Sequence, residues 1–332
     1  MDRVVGDPAA ERPLRLGVIG LNEGNGHPYS FSAAVNGYDD AGMRESGWGV
    51  IYNYLLPRDP ADFGIPGVTV THAWTQDPDE TARLCRASRI ANAVADPAAM
   101  LGQIDGLLLC RDDYETHLPL ARPFLEAGIP VFIDKPLTLD PAELAWFEPY
   151  LANGLLMSCA GGRYARETDP AVGAYLSGEL GEVLLARGAV VANFSRYGIT
   201  LLEAIFRVLP CHVEEVWVVP GQRHESVVLR QAAGHPLVQI DALGAAAKTF
   251  QLDFFGTKGR AHAEINDNFA AFRRLLGQFV RQIRTGEPAI PPAHTRTMMH
   301  ILMAAERSKL EGRAVRLTEF NAALSAAPIP AP

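Results

Sequence analysis

The regular pattern of the chain begins with an unbroken apolar run, "LRLGVIGL" at residues 14–21, which has the length and β-branching of a strand buried on both faces. The run has four successors: "GVTVTHAW" at 67–74, "IDGLLLC" at 104–110, "IPVFID" at 129–134 and "LLMSCA" at 155–160. Helical patterns separate them. One stops near Asn36-Gly37, a second follows in "DPDETARLCRAS", a third in "THLPLARPFLEAG" ends at Gly128, and a fourth occupies "PAELAWFEPYLANG". Asp77 is placed as the N-cap of the second helix and Glu80 stands at N3, as in a capping box. Strands alternating with helices of this length call for right-handed crossovers, hence a parallel, doubly wound sheet. Ligands of such sheets bind beyond the carboxyl ends of the strands.

Two features break the alternation. Between the first helix and the strand at Val68, about 30 residues are inserted (roughly 38–67), well beyond the usual loop length. Trp48, Tyr52 and Tyr54 in that stretch must pack on something; simple packing, a lid over a ligand and an oligomer contact are the alternatives. The second break comes near Gly161. From there "EVLLARGAVVANF", "VEEVWVVPG", "ESVVLRQAAG", "PLVQIDALG", "KTFQLDFFG" and "RAHAEI" follow in succession, many closed by a glycine turn, as in a largely antiparallel sheet. Phe269, Phe272, Leu276, Phe279 and Ile283 then recur at helical spacing, and a last helix is expected from about Thr295 to Glu311 with Gly312 at its end. The domain boundary therefore falls between residues 1–160 and 161–332. An open sheet in the second part needs its other face covered, which points to a homo-oligomer.

Composition narrows the partners. The chain of 332 residues is 48% hydrophobic and 20% charged, as in ordinary soluble globules, and is long enough for two domains. Its 30 basic and 38 acidic side chains give a net charge of −8 without a basic run, which argues against nucleic acid. No run approaches a membrane span and the first residues lack an apolar signal core, so a cytoplasmic location is expected. Cys85, Cys110, Cys159 and Cys211 form no C-x-x-C pair, so neither a metal site nor a disulfide framework is expected and the thiols read as reduced. The tail "AAPIPAP" is expected to fray.

Two stretches carry candidate chemistry. In "RLGVIGLNEGNGHPYS" a buried strand empties into a glycine-rich turn before a helix, the arrangement that cradles phosphate, although the glycines fall at Gly20, Gly24 and Gly26. Counting G-x-G-x-x-G from Gly20 puts Asn22 and Asn25 at the other two positions, and asparagine tolerates a left-handed backbone. Pro28 fits the first helical turn, so amides near Tyr29 and Ser30 are candidates for a phosphate; His27 is either a contact or a helix cap. In "FIDKPLTLD", Lys135 follows Asp134 at the end of a buried strand and precedes Pro136. An ammonium there can act as general acid or base, or be held in an ion pair with Asp134.

"DKP" after "VFI" resembles the E-K-P signature of the Gfo/Idh/MocA oxidoreductases, relatives of glucose-fructose oxidoreductase and inositol dehydrogenase. The order of "DPDETARL", "IDGLLLCRDDYETH" with His117, "GIPVFIDKPL", Arg163-Tyr164, "YLSGELGEV", "FVRQIRTGEP" and "AAERSKLEGRAVRL" follows the same family over nearly the whole chain. The resemblance implies an α/β fold: an N-terminal Rossmann doubly wound parallel sheet binding NAD or NADP, and a C-terminal α+β domain with a large, mostly antiparallel open sheet that commonly mediates dimers or tetramers. It implies a carbohydrate-like substrate, hydride transfer at a hydroxyl carbon, and a lysine, here Lys135, touching the reacting hydroxyl. Cofactor contacts are then expected at Gly20, Asn22, Glu23, Gly24, Asn25, Gly26, His27, Thr75, Gln76, Arg111, Asp112, Asp134 and Lys135.

The chain departs from the family at two places. Where an acid would grip the adenosine ribose stands Thr75, followed by Gln76; the absence of a basic residue leans the reading to NAD. Where the family presents Asp and His in D-x-G-x-H stand Arg196 and Thr200, and threonine is no proton relay. Tyr164 or His117 would have to substitute. Thr200, Glu203 and Arg207 share a helical stripe, either a solvated face with a Glu203–Arg207 pair or a wall for an anionic or polyhydroxyl substrate clamped by Arg163 and Arg196. The alternatives to a dehydrogenase are a non-catalytic cofactor-binding or assembly subunit and redox-neutral chemistry on tightly held NAD.

Overall fold

The structure, a computed structural model, describes residues 12–320. The terminal "AAPIPAP" and the first 11 residues lie outside them. The chain forms two compact units, and a single cut near residue 160 does not separate them: the first comprises Met1–Asp134, Asn153–Met157 and Leu276–Ala289, the second Lys135–Ala152, Ser158–Leu275 and Ile290–Pro332.

In the first unit the elements run β1 (Leu14–Ile19), α1 (His27–Asn36), α2 (Asp40–Arg44), α3 (Gly49–Leu55), β2 (Val68–Trp74), α4 (Pro78–Ala87), β3 (Asn92–Ala93), β4 (Gly106–Leu109), α5 (His117–Glu126) and β5 (Val131–Ile133). With β6 (Leu156–Ser158) they make a six-stranded sheet of order β3-β2-β1-β4-β5-β6. β1 pairs in parallel with both β2 and β4, so the strand order reverses direction beside it. The apolar runs produce this because β4 and β5 are buried throughout and β1 over its last four residues, a pattern only a sheet covered on both faces satisfies. Leu276–Ala289 complete the core from far along the chain: Phe279 packs on Phe132 at 6.0 Å between ring centroids, and Gln282 donates from Nε2 to the Gly154 carbonyl at 2.9 Å.

The inserted stretch is ordered and packed. Asp39 caps α2 through the Gly42 amide, α3 follows, and a short 3₁₀ turn at Pro60–Asp62 leads into β2. Trp48 and Ile51 lie against Gly26, and the Tyr54 hydroxyl donates to Ser30 of α1. Asp77 caps α4 by accepting from the Asp79 amide, but Glu80 accepts from Tyr29 and Arg83 instead of closing a capping box.

The second unit contains α6 (Pro141–Ala152), α7 (Asp169–Leu176), β7 (Val183–Val190), α8 (Phe194–Val208), β8 (Val213–Pro220), β9 (Glu225–Gln231), β10 (Leu237–Ala242), β11 (Phe250–Gly256) and β12 (Arg260–Glu264). α9 (Asn268–Thr285) contributes its first eight residues, and α10 (Pro292–Glu311) and β13 (Val315–Arg316) close the unit. The seven-stranded sheet has order β12-β11-β7-β10-β9-β8-β13 and one parallel pair, β7 with β10. α10 starts at Pro292, a turn earlier than expected, and Gly312 ends it in the left-handed conformation, φ 65°. Inner-face residues such as Val238, Ile240, Leu252 and Phe254 are fully buried, each worth about 1.5–3 kcal/mol of apolar burial. On the other face Leu184, Trp217, Val219, Leu237 and Phe255 are exposed. Among the described residues no helix is long and apolar enough to cross a membrane.

Candidate active site

The glycine loop belongs to the first unit, at the end of β1 where the sheet's strand order reverses. Gly20 turns the chain hard onto α1: a Cβ there would stand 2.2 Å from Cγ of Pro28. Gly26 admits the inserted stretch, since its Cβ would meet the Trp48 ring at 2.5 Å. The left-handed turn, however, is made by Gly24 at φ 75° and not by the asparagines. Asn22 and Asn25 instead bridge to each other, with the Asn25 amide donating to the Asn22 carbonyl at 3.1 Å. Their side chains brace the loop: Asn22 exchanges hydrogen bonds with Asp112, while buried Asn25 donates to Asp134 and accepts from the His27 amide.

The helix start is also spoken for. The Tyr29 and Ser30 amides donate to the Gly26 carbonyl at 3.1 and 3.3 Å, so the expectation that they face a phosphate is not met. His27 is the first residue of α1 and its Nδ1 pairs with Asp134; it is not the cap, because position N-cap is Gly26. Leu21 is clasped by Gln76, which accepts from its amide and donates to its carbonyl, and Arg111 joins them through Nη1 at 2.8 Å to the same carbonyl. Arg111 is held from behind by Asp113. Thr75 is buried, with Oγ1 donating to the Asp77 carbonyl, so it shapes the turn into α4 and does not face a ribose. His117 is fully buried with Nε2 on the Arg111 carbonyl, which removes it from the candidates for proton transfer. Cys110 is buried too, and its thiol is pushed well up by burial and by Asp134.

A dinucleotide fits this unit on two observations. The strand order places the turn at the sheet's reversal, and Gly20 leaves no room for a side chain between turn and helix. Glu23 and Gly24 form the exposed tip, with Asn22, Gln76, Arg111 and Asp112 around it as hydrogen-bonding side chains.

The second unit begins at Lys135, which is 7% exposed; its Nζ lies 5.8 Å from the centroid of the Tyr197 ring. The Arg196 guanidinium stands 5.6 Å from the same ring, and Phe250 meets it edge-on at 5.6 Å. Asn193 caps α8 through the Arg196 amide, fixing the first turn that carries both residues. Gly161–Tyr164 form a 3₁₀ turn pressed against α8, where a Cβ at Gly162 would sit 2.0 Å from the Thr200 carbonyl.

Glu203 does not pair with Arg207 and does not line an open wall. It is 1% exposed and accepts from Arg163 Nη1 at 3.2 Å, with His294 Nε2 at 2.8 Å. Arg163 is thereby a buried partner instead of a clamp; burial alone would weaken its hold on its proton, but Glu203, Tyr164 and Cys159 outweigh that and raise it. Arg207 binds Asp169 and the Ala165 carbonyl. Tyr164 beside this cluster has its phenol pushed up by burial and then by Cys159, so it keeps its proton near neutral pH. Sequence reading missed His294 and Tyr197. His294 follows "IPPA" with no local pattern, and Tyr197 sits unremarked between Arg196 and Gly198.

Residues 47–146 match the family model of the Gfo/Idh/MocA oxidoreductases, described as an oxidoreductase family with an NAD-binding Rossmann fold. Among solved structures, the scyllo-inositol dehydrogenase of Lactobacillus casei with NAD(H) and scyllo-inositol bound is similar at TM-score 0.73 and 14% identity, over 92% of this chain and 100% of that one. A probable dehydrogenase from Thermotoga maritima aligns at TM-score 0.71 and 18% identity over 92% and 100% of the two chains. The myo-inositol dehydrogenase of Corynebacterium glutamicum gives 0.70 and 18% over 92% and 99%. At these identities the likeness is one of fold. No curated protein matches by sequence. The chain thus has, from strand order and the fold shared along nearly its full length, the architecture of the Gfo/Idh/MocA dehydrogenases it aligns with, and its residues 47–146 match that family's NAD-binding Rossmann model.

Proposed function

We propose that the protein is an NAD(P)-dependent oxidoreductase that moves hydride to or from a hydroxyl carbon of a sugar, cyclitol or nucleotide-sugar-like substrate, with Lys135 as the proton donor or acceptor. The observation that carries this is Lys135 itself, a buried primary amine two residues past the end of β5 and next in the chain to Asp134, which steadies the loop through Asn25 and His27. NAD, when bound, supplies the acceptor or donor of the hydride. As a hydroxyl carbon is oxidised, Lys135 takes the hydroxyl proton while the C–O bond becomes C=O; in the reverse direction it returns that proton. Asn22, Glu23, Gly24, His27, Gln76, Arg111 and Asp112 would hold the cofactor, and Gln76 in place of an arginine favours NAD over NADP. Tyr164, Arg196 and Thr200 are the groups assigned to substrate. Tyr164, a phenol that keeps its proton, donates to substrate oxygens. The inositol dehydrogenases of the same fold make cyclitols the first substrates to try.

The exposed apolar residues of the seven-stranded sheet extend the proposal to a homo-oligomer formed through that face.

Purified protein assayed with NAD and NADP against sugars, cyclitols and nucleotide sugars, by nicotinamide absorbance, is expected to show turnover. Lys135→Ala should lower kcat by about 10²–10⁴ while NADH binding persists. A Lys135→Ala variant at full activity would remove the assigned role. NADH binding without turnover on any of these compounds would point to a non-catalytic subunit.

A further inference from the structure

We infer that the second unit holds another binding site, for a small oxyanion-bearing metabolite, in the cavity that Arg230, Arg296, Arg316 and His300 line. The cavity, of about 480 Å³, is of the size that takes such a molecule. It opens beside Cys211 and His212, past the C-terminal end of α8. Arg196 stands in the first turn of that helix, about 18 Å away along its axis at 1.5 Å per residue, so the cavity is separate from the Lys135–Tyr197 group. The inference stands apart from the oxidoreductase reading.

Three guanidinium groups reach the cavity from three elements, β9, α10 and β13. Arg230 is gripped by Glu215 at 3.2 and 3.0 Å with Glu214 3.9 Å from its Nη1, Arg296 gives only its Nε to Glu148, and exposed Arg316 stands with Nε 3.8 Å from Glu215. A guanidinium held by one edge, as Arg296 is, keeps its other N–H groups for carboxylate or phosphate oxygens. Glu214 is the one carboxylate among the described lining residues, while Glu148 and Glu215 hold the arginines from outside the lining.

His300 points independently to a ligand. It is 5% exposed, lies against Phe320 at 5.6 Å between ring centroids, and lines the cavity together with the three arginines. Burial and the neighbouring Arg296 push its proton affinity down to about 4, so the ring is neutral near pH 7 and offers one N–H to an oxyanion and one acceptor to a hydroxyl.

Inorganic phosphate and citrate, each titrated into the full chain at constant ionic strength with chloride as the reference, test this by calorimetry and thermal shift. Saturable binding of at least one is expected, weakened tenfold or more in Arg316→Gln and in Arg296→Gln. Phosphate alone identifies a phosphate-bearing ligand, citrate alone a polycarboxylate, and both together the shared oxyanion chemistry. Binding no stronger than the chloride effect, or binding that survives in both variants, overturns the inference. Arg316 is exposed, so its variant folds even where Arg296→Gln, which loses Glu148, does not.

Discussion

His300 carries a prediction that needs no ligand. Its proton affinity in the folded chain is lowered from 6.5 to about 4, first by burial and then by Arg296. Above 6.5 the ring is neutral whether the chain is folded or not, and the full stability is present. As pH falls from 6.5 towards 4 the unfolded chain takes up a proton that the folded chain refuses, so stability is lost over that window. The loss is about 2–3 kcal/mol, allowing for water at the cavity mouth. His300→Gln has no such proton to gain. The stability difference between wild type and variant, from urea melts, should therefore shrink as pH falls through the window; a difference independent of pH would contradict the assignment. Other single residues show what sequence could not reveal. Asn22 and Asn25 were placed at glycine positions by counting, yet the backbone needs a left-handed residue only at Gly24. The asparagines serve as side chains, and nothing in their spacing announces Asp112 or Asp134 as partners, since those stand just past the ends of β4 and β5, 90 and 109 residues away.

At the scale of elements, α8 is the piece most open to misreading. Its period correctly separates an apolar side from Thr200, Glu203 and Arg207, and from that pattern an exposed Glu203–Arg207 pair is a fair expectation. The structure buries Glu203 because α10 and the Gly161–Tyr164 turn both reach it, bringing His294 and Arg163. A period reports which side of a helix a residue is on. It does not report how many neighbours close over that side. Breaking this group leaves buried charge without a partner, so Glu203→Ala should cost about 3–5 kcal/mol. Pairing it with Arg163→Met should cost less than the sum of the two single changes, by about 1–3 kcal/mol in a double-mutant cycle. Strict additivity would mean that the contacts carry no coupling. The longer strands and helices were legible because their apolar runs are unbroken or strictly periodic. β3 and β13, of two residues each, were not, because a strand that short has no period to detect.

At the scale of the molecule, the two sheets were legible in the order of strand and helix patterns, and the single parallel pair β7–β10 was not, since it depends on which strands meet and not on their composition. The outer face of the second sheet bears Leu184, Trp217, Val219, Leu237 and Phe255, apolar groups spread over four strands. If that face joins copies, light scattering should report a multiple of 36.0 kDa, and Trp217→Asp with Phe255→Asp should shift the mass down while leaving the circular dichroism intact. A monomeric wild type would rule the arrangement out. The first unit has a further consequence through its discontinuity in sequence, because Phe279 and Gln282 belong to its core although every strand of the second unit's sheet except β13 is encoded before them. During synthesis the parallel sheet must therefore wait, incomplete, for a segment that leaves the ribosome near the end of translation, while the antiparallel sheet has all its long strands in hand by Glu264. Each half is thus closed by one of the last segments made, the first by residues 276–289 and the second by α10 and β13.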